Sequence, residues 1–318
     1  MMRYDELYRY GAGQLRLADI AEAELDARLL LEFVCHTDRN TLLAHGDLEV
    51  TPEQEETYVN YIAKRAERFP LQHLTGEQEF MGLPFAVNEH VLIPRQDTEI
   101  LVEEAMRHLH DGMEILDMCT GSGCILLSLL HYSNRCAGVG VDISEKALAV
   151  ARQNAERVLG RKIAEPGTAP GEGVTEGNAE SGDAAADDMV GYQGNMTNVS
   201  FAHSDLFEKL DRSRKFDLLV SNPPYIPTQV IGTLMPEVRE HEPVSALDGR
   251  DDGLYFYRRI SKEAKGYLYR GAHVLFEIGC DQGETVSEIL RAEGYREIEV
   301  IQDFAGLDRV VSAVFVEE

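Results

Sequence analysis

Two hydrophobic periodicities divide the chain. Up to about residue 75, apolar positions recur at helical spacing: "AEAELDARLLLEFVCH" sets Leu25, Leu29 and Phe33 a four-residue step apart. The stretch "TPEQEETYVNYIAKRAERF" opens with Thr51 as an N-cap, Pro52 at the first helical position and Glu55 near the capping-box position. These signals predict a small all-helical domain over 1–75. Residues 76–96, beginning "GEQEFMGLPFAVNEHVLI", alternate and turn like a hairpin and read as a connector. From residue 97 to 318, apolar runs such as "EILDMC", "AGVGVDI", "VSFAHSD", "FDLLVSN" and "AHVLFEIG" alternate with helical segments. That order predicts an α/β fold with a doubly wound, mainly parallel sheet. A long helix is expected around 253–270. The last two strands, separated by a short turn at Gly306, are expected to form a hairpin at one edge.

One segment breaks the pattern. Residues 163–199 are rich in Gly, Ala and acids, carry seven acidic residues and no basic ones, and fall where a loop of about 2 to 6 residues is usual. They read as a disordered insertion. The whole chain is acidic as well, with a formal charge of −26 over 318 residues, which points away from nucleic acid as a partner. No run approaches the roughly 18 apolar residues that span a membrane, and the start "MMRYDELYRYGAG" lacks the form of a signal peptide. A soluble, cytoplasmic protein is expected. Five cysteines without a CxxC pair, and histidines without ligand spacing, favour reduced thiols and no metal site.

Candidate chemistry lies at the ends of the apolar runs. "LDMCTGSGCI" puts Gly121 and Gly123 between a strand and a helix, where glycine lets backbone approach a ligand and the helix offers free N–H groups. The next strand ends at Asp142, placed as in nucleotide-binding folds where a carboxylate accepts from ribose hydroxyls. The loop has no following Lys and misses the GxGxxG spacing, so a nucleoside without phosphates fits best. Two plainer readings stand beside this: a tight turn with no ligand, and Asp142 as the cap of the helix starting near Ser144.

The strand "FDLLV" runs into "SNPPYIP". Pro223 and Pro224 must end it, with Asn222 its last residue, confined by the proline that follows. The Asn222 side-chain oxygen and the Pro223 carbonyl can both accept hydrogen bonds, while neither proline offers a competing N–H. Such a pair suits a planar –NH2 group, gripped by its two hydrogens with Tyr225 against its flat face. Accepting from both N–H groups favours pyramidalisation of a delocalised nitrogen and turns its lone pair toward an electrophile, for which the methyl of S-adenosyl-L-methionine is suited.

Together "SNPPYI", the glycine loop and "VLIPRQDTE" at 91–99 resemble the bacterial HemK/PrmC family, methyltransferases that modify the glutamine of the GGQ motif in peptide chain release factors. "VDIS" at 141–144, "EIG" at 277–279 and "DFAGLDRVV" at 303–311 belong to the same resemblance, which spans the chain outside 163–199. It implies a Rossmann-like class I methyltransferase domain and N5 methylation of that glutamine. S-adenosyl-L-methionine would be held by Cys119, Thr120, Gly121, Ser122, Gly123 and Asp142, with Asp205 and Leu206 flanking the adenine. Asn222, Pro223, Pro224 and Tyr225 would form the glutamine clamp, Asn222 also touching the donor, and the N-terminal helices would grip a release factor met by a monomer. Cys119 stands where many members carry glycine, and Leu206 where an aromatic can occur. For Arg95, Asp97, Thr98 and Glu99, cofactor contact competes with a salt-bridged helix start capped by Thr98. Two other functions remain open here: an adenine-N6 methyltransferase of nucleic acid, which shares Asn-Pro-Pro-Tyr, and a non-catalytic release-factor-binding module.

Overall fold

In the computed structural model, which describes residues 2–160 and 198–316, the helical pattern at the start becomes five helices. They are α1 (Tyr4–Leu17), α2 (Ala23–Cys35), α3 (Arg39–Ala44), α4 (Pro52–Ala66) and α5 (Leu71–Thr75). Thr51 caps α4 as its sequence predicts, accepting from the Gln54 N–H, but Gln54 and not Glu55 returns the second bond of the capping box. The α2 stripe is a correction. Leu25 and Leu29 are half-buried and Phe33 is 40% exposed, whereas Ala23, Ala27, Leu30, Leu31 and Val34 face the core. The register turns because Asp26 is buried with them, neutralised by Arg65 of α4 at 2.7 Å.

The hairpin β1 (Glu77–Phe80) and β2 (Leu83–Ala86) leads to α6 (Glu99–His108). A seven-stranded sheet follows, in the order β5-β4-β3-β6-β7-β9-β8. Its strands are β3 (Glu114–Met118), β4 (Ala137–Asp142), β5 (Asn198–His203), β6 (Phe216–Ser221), β7 (Leu268–Glu277), β8 (Arg296–Gln302) and β9 (Asp308–Val314). The connecting helices are α7 (Cys124–Tyr132), α8 (Glu145–Leu159), α9 (Thr228–Ile231), α10 (Pro236–His241), α11 (Tyr255–Ala264) and α12 (Gly283–Ala292). Neighbours from β5 to β7 pair in parallel, and β9 slots antiparallel between β7 and β8. The closing hairpin is therefore at the sheet edge, as its sequence predicts.

Alternation along β3 shows how the sheet is buried on both sides. Ile115 packs with α6, α7 and α8 residues such as Leu101, Leu126 and Leu148, while Leu116 and Met118 pack with Tyr257, Ile260 and Leu290 of α11 and α12. Two boundaries differ from expectation. The helix expected over 253–270 is only α11, because the chain turns at Gly266 and β7 begins at Leu268. The insertion expected at 163–199 lies outside the described residues except for 198 and 199, which open β5.

Candidate active site

Strand register brings the candidate residues together. Met118 pairs with Val141 on one side and Ser221 on the other, so Cys119, Asp142 and Asn222 leave the sheet side by side. The Ser221 hydroxyl donates to the Met118 carbonyl at 2.5 Å and locks this arrangement. The chain runs from β3 to β4 and β5 on one side, then returns to β6 on the other. A ligand crevice belongs at such a switch point, outside the carboxyl ends of the strands. β6 ends at Ser221, one residue before the expected Asn222, since Pro223 has no N–H to continue the ladder.

A cavity of about 310 Å³ opens at that point. Its wall takes in Cys119, Thr120, Gly121, Ser122, Asp142, Asp205, Leu206, Asn222 and Pro224. Gly123, Pro223 and Tyr225 do not border it. Gly123 serves the turn: at φ +80 it begins α7, and a Cβ there would stand 3.1 Å from Leu127 and 3.3 Å from Ala151. Gly121, at φ +54, has nothing within 4 Å of where a Cβ would be, so its backbone meets open space.

Asp142 ties the loops around this space. One oxygen accepts from the Gly121 N–H at 2.9 Å and the other from the Ser144 N–H at 2.8 Å. It does not cap α8, because Ser144 does, accepting from the Ala147 N–H. Burial raises the Asp142 pKa against these hydrogen bonds. A carboxylate has about four acceptor positions, so capacity remains for ligand hydroxyls. Across the cavity, Asp205 Oδ1 is bonded to Arg259 at 2.8 Å beside buried Leu206.

The backbone after Asn222 is tightly held. Ile226 exchanges hydrogen bonds with Leu247 and Gly249 at 3.0 and 2.8 Å, and Gln282 donates to the Tyr225 carbonyl at 3.1 Å. A Cβ on Gly253 would come within 2.3 Å of that same carbonyl, so only glycine permits this closeness. Burial raises the Tyr225 phenol, which therefore stays protonated.

The "VLIPRQDTE" stretch divides between structure and site. Arg95 pairs with buried Glu242, Asp97 with Arg309 at 3.2 Å, and Glu99 accepts from the Met81 N–H at 2.7 Å. Thr98 precedes α6 without capping it, borders the cavity, and accepts from Asn222 Nδ2 at 3.4 Å. Sequence reasoning missed two buried acids. Asp117 lies on β3 with Oδ2 bonded to Thr120 at 2.6 Å and Oδ1 without a partner, and burial pushes it up to about 7. Glu277 ends β7, and burial likewise pushes it up to about 7, against hydrogen bonds from Thr98, the charge of Arg309 and a hydrogen bond from Asn222. An acid at the carboxyl end of a parallel apolar strand was the available signal, the same one that marks Asp142.

The cavity can take a nucleoside-sized ligand: its volume lies in the range of about 300 to 1,000 Å³ typical of such sites. It joins an open glycine backbone, carboxylates for hydroxyl or amine groups, and apolar Leu206. Comparison with known proteins agrees in kind. Residues 6–76 match the model of the PrmC N-terminal domain, and residues 109–159 that of a methyltransferase domain. A release factor glutamine methyltransferase of Geobacter sulfurreducens is 38% identical over 299 residues, covering 94% of this chain and 92% of that protein. Its counterpart in Moorella thermoacetica is 38% identical over 308 residues, covering 96% of each. That of Clostridium acetobutylicum is 37% identical over 292 residues, covering 91% of this chain and 90% of the other.

Proposed function

The chain belongs to the release factor glutamine methyltransferase family, and on that premise we propose that it methylates the N5 side-chain nitrogen of the GGQ glutamine in peptide chain release factors. The single observation that carries this reading is that Asn222 borders the same cavity as the glycine turn and Asp142. S-adenosyl-L-methionine, when bound there, supplies an activated methyl group. Gly121 and its neighbours would receive it through backbone, Asp142 through the ribose hydroxyls, and Asp205 and Leu206 beside the adenine.

The protein's own part is to prepare the nucleophile. A carboxamide nitrogen is unreactive because its lone pair is shared with the carbonyl. Asn222 Oδ1 and the Pro223 carbonyl accept its two N–H groups, and the fixed backbone from Tyr225 to Gly249 makes that grip rigid. Tyr225, kept protonated by burial behind the cavity wall, cannot serve as a base. Once the nitrogen is alkylated its proton is acidic enough to pass to water. The charge of −26 supports a soluble protein whose substrate is protein and not nucleic acid; among the described residues no helix is long and apolar enough to cross a membrane.

The test is mass spectrometry of a purified release factor incubated with this protein and S-adenosyl-L-methionine. One added methyl on the glutamine of the GGQ peptide is expected, with Asn222→Ala slower by a hundredfold or more on the scale of losing a preorganised acceptor, about 3 kcal/mol. Methylation of DNA or RNA with none on the release factor would overturn the assignment. Donor binding without methylation of any of these would instead mark a non-catalytic module.

A further inference from the structure

Three stretches of the chain, around Thr98, Glu277 and Arg309, meet behind Asn222 without taking part in the chemistry described so far. Thr98 and Glu277 are each 2% exposed. Asn222 Nδ2 donates to Thr98 Oγ1 at 3.4 Å, and the Glu277 carboxyl, whose Oε2 has no hydrogen-bond partner, stands beside both Thr98 and Asn222, each of which acts on it as a donor. Glu277 is fixed from the other side, where the Tyr257 hydroxyl donates to its backbone carbonyl at 2.8 Å and the Ile278 N–H to the Arg309 carbonyl at 2.9 Å. Arg309 adds a half-buried cation held by Asp97 at 3.2 Å and Asp303 at 3.0 Å.

An asparagine side chain has two ends of nearly the same shape and opposite chemistry. Only the oxygen can accept from a substrate –NH2; if the amide turned over, two N–H groups would face two N–H groups. An ionised carboxylate only accepts, so Thr98 must spend its one hydrogen on Glu277. The lone pairs left on Oγ1 then require a donor, and Nδ2 is the only donor end of Asn222. We propose that Thr98 and Glu277 are positioning residues that fix the orientation of the Asn222 carboxamide, holding Nδ2 away from the cavity so that Oδ1 is presented to the substrate amide. This rests on the glutamine-methylating reading and adds to it how the clamp is aimed.

Paired substitutions at Thr98 separate this role from packing. Thr98→Val keeps the shape and loses the acceptor; Thr98→Ser keeps the acceptor and loses a methyl. Measured with a release factor on the alkaline side of the Glu277 titration, T98V is expected to lose about tenfold in kcat, the scale of one hydrogen bond. T98S should stay within about threefold of wild type, and donor affinity should be unchanged in both. A packing role gives the reverse order, and that order, or full kcat in T98V, overturns the inference. If T98V fails to fold, Glu277→Gln, which keeps an acceptor oxygen, and Glu277→Leu, which has none, repeat the comparison: Gln above Leu in kcat supports it, equality overturns it. An inactive wild type in the same assay would instead sink the parent function, so the two failures are distinct.

Discussion

Cys119 and Leu206 occupy left-handed backbone at φ 64° and 48°, one on each side of the cavity. Strain of this sort costs of order 1–3 kcal/mol per residue and is tolerated where surrounding structure demands it. It explains why glycine is the expected residue at 119: the turn requires positive φ, and the cysteine meets that requirement with its side chain packed toward the core. Asn222, Gly121 and Asp142 were legible in the sequence because proline, glycine and a strand-ending acid each restrict local backbone or chemistry. Thr98 was legible only as a helix-start residue, and Glu277 had no assigned role, because their link to Asn222 exists only where distant stretches meet. Glu277 also carries a measurable cost. Its pKa rises from 4.5 to about 7 on folding, so between those values the folded state binds more protons than the unfolded one. Stability from this group is thus lost as pH rises through that window, up to about 3 kcal/mol. Glu277→Gln should show a smaller fall in melting temperature from about pH 5 to about pH 8 than wild type; an equal or steeper fall would contradict the assigned burial cost.

At the scale of elements, the strands were readable because a sheet covered on both faces writes itself as continuous apolar runs. The helices α9 and α10 were not. Both are short, and tertiary contacts hold the polar α10. Arg65, 11% exposed, reaches Glu237 of α10 at 3.1 Å while also pairing with Asp26; Arg68 meets the same Glu237 at 3.3 Å and the carbonyls of Ala18 and Asp19 at 3.0 and 3.1 Å. Burial works to raise the Glu237 pKa, but its own backbone hydrogen bond and the two guanidiniums outweigh it and hold the carboxyl below its usual range. The segment following the Asn222 turn is thereby clasped to the N-terminal helices. Glu237→Ala should speed hydrogen exchange of the α10 amides while leaving the central strands protected. Unchanged exchange in α10 would show that the clasp does not hold the segment.

The whole molecule places an acidic two-part chain around one crevice: helices that end at residue 75, and a sheet whose switch point gathers the cavity residues. The fold class was legible from the order of apolar runs, and the family from short motifs. The aim of the clamp emerged only once the whole sheet was assembled, because β3, β6, β7 and the start of α6 each contribute one part of it. The most direct measurement is a structure of the protein with S-adenosylhomocysteine and a glutamine-containing release-factor peptide. The account predicts the glutamine amide nitrogen within hydrogen-bond distance of both Asn222 Oδ1 and the Pro223 carbonyl, with Asn222 Nδ2 turned to Thr98. A glutamine bound elsewhere, or facing Nδ2, would contradict it.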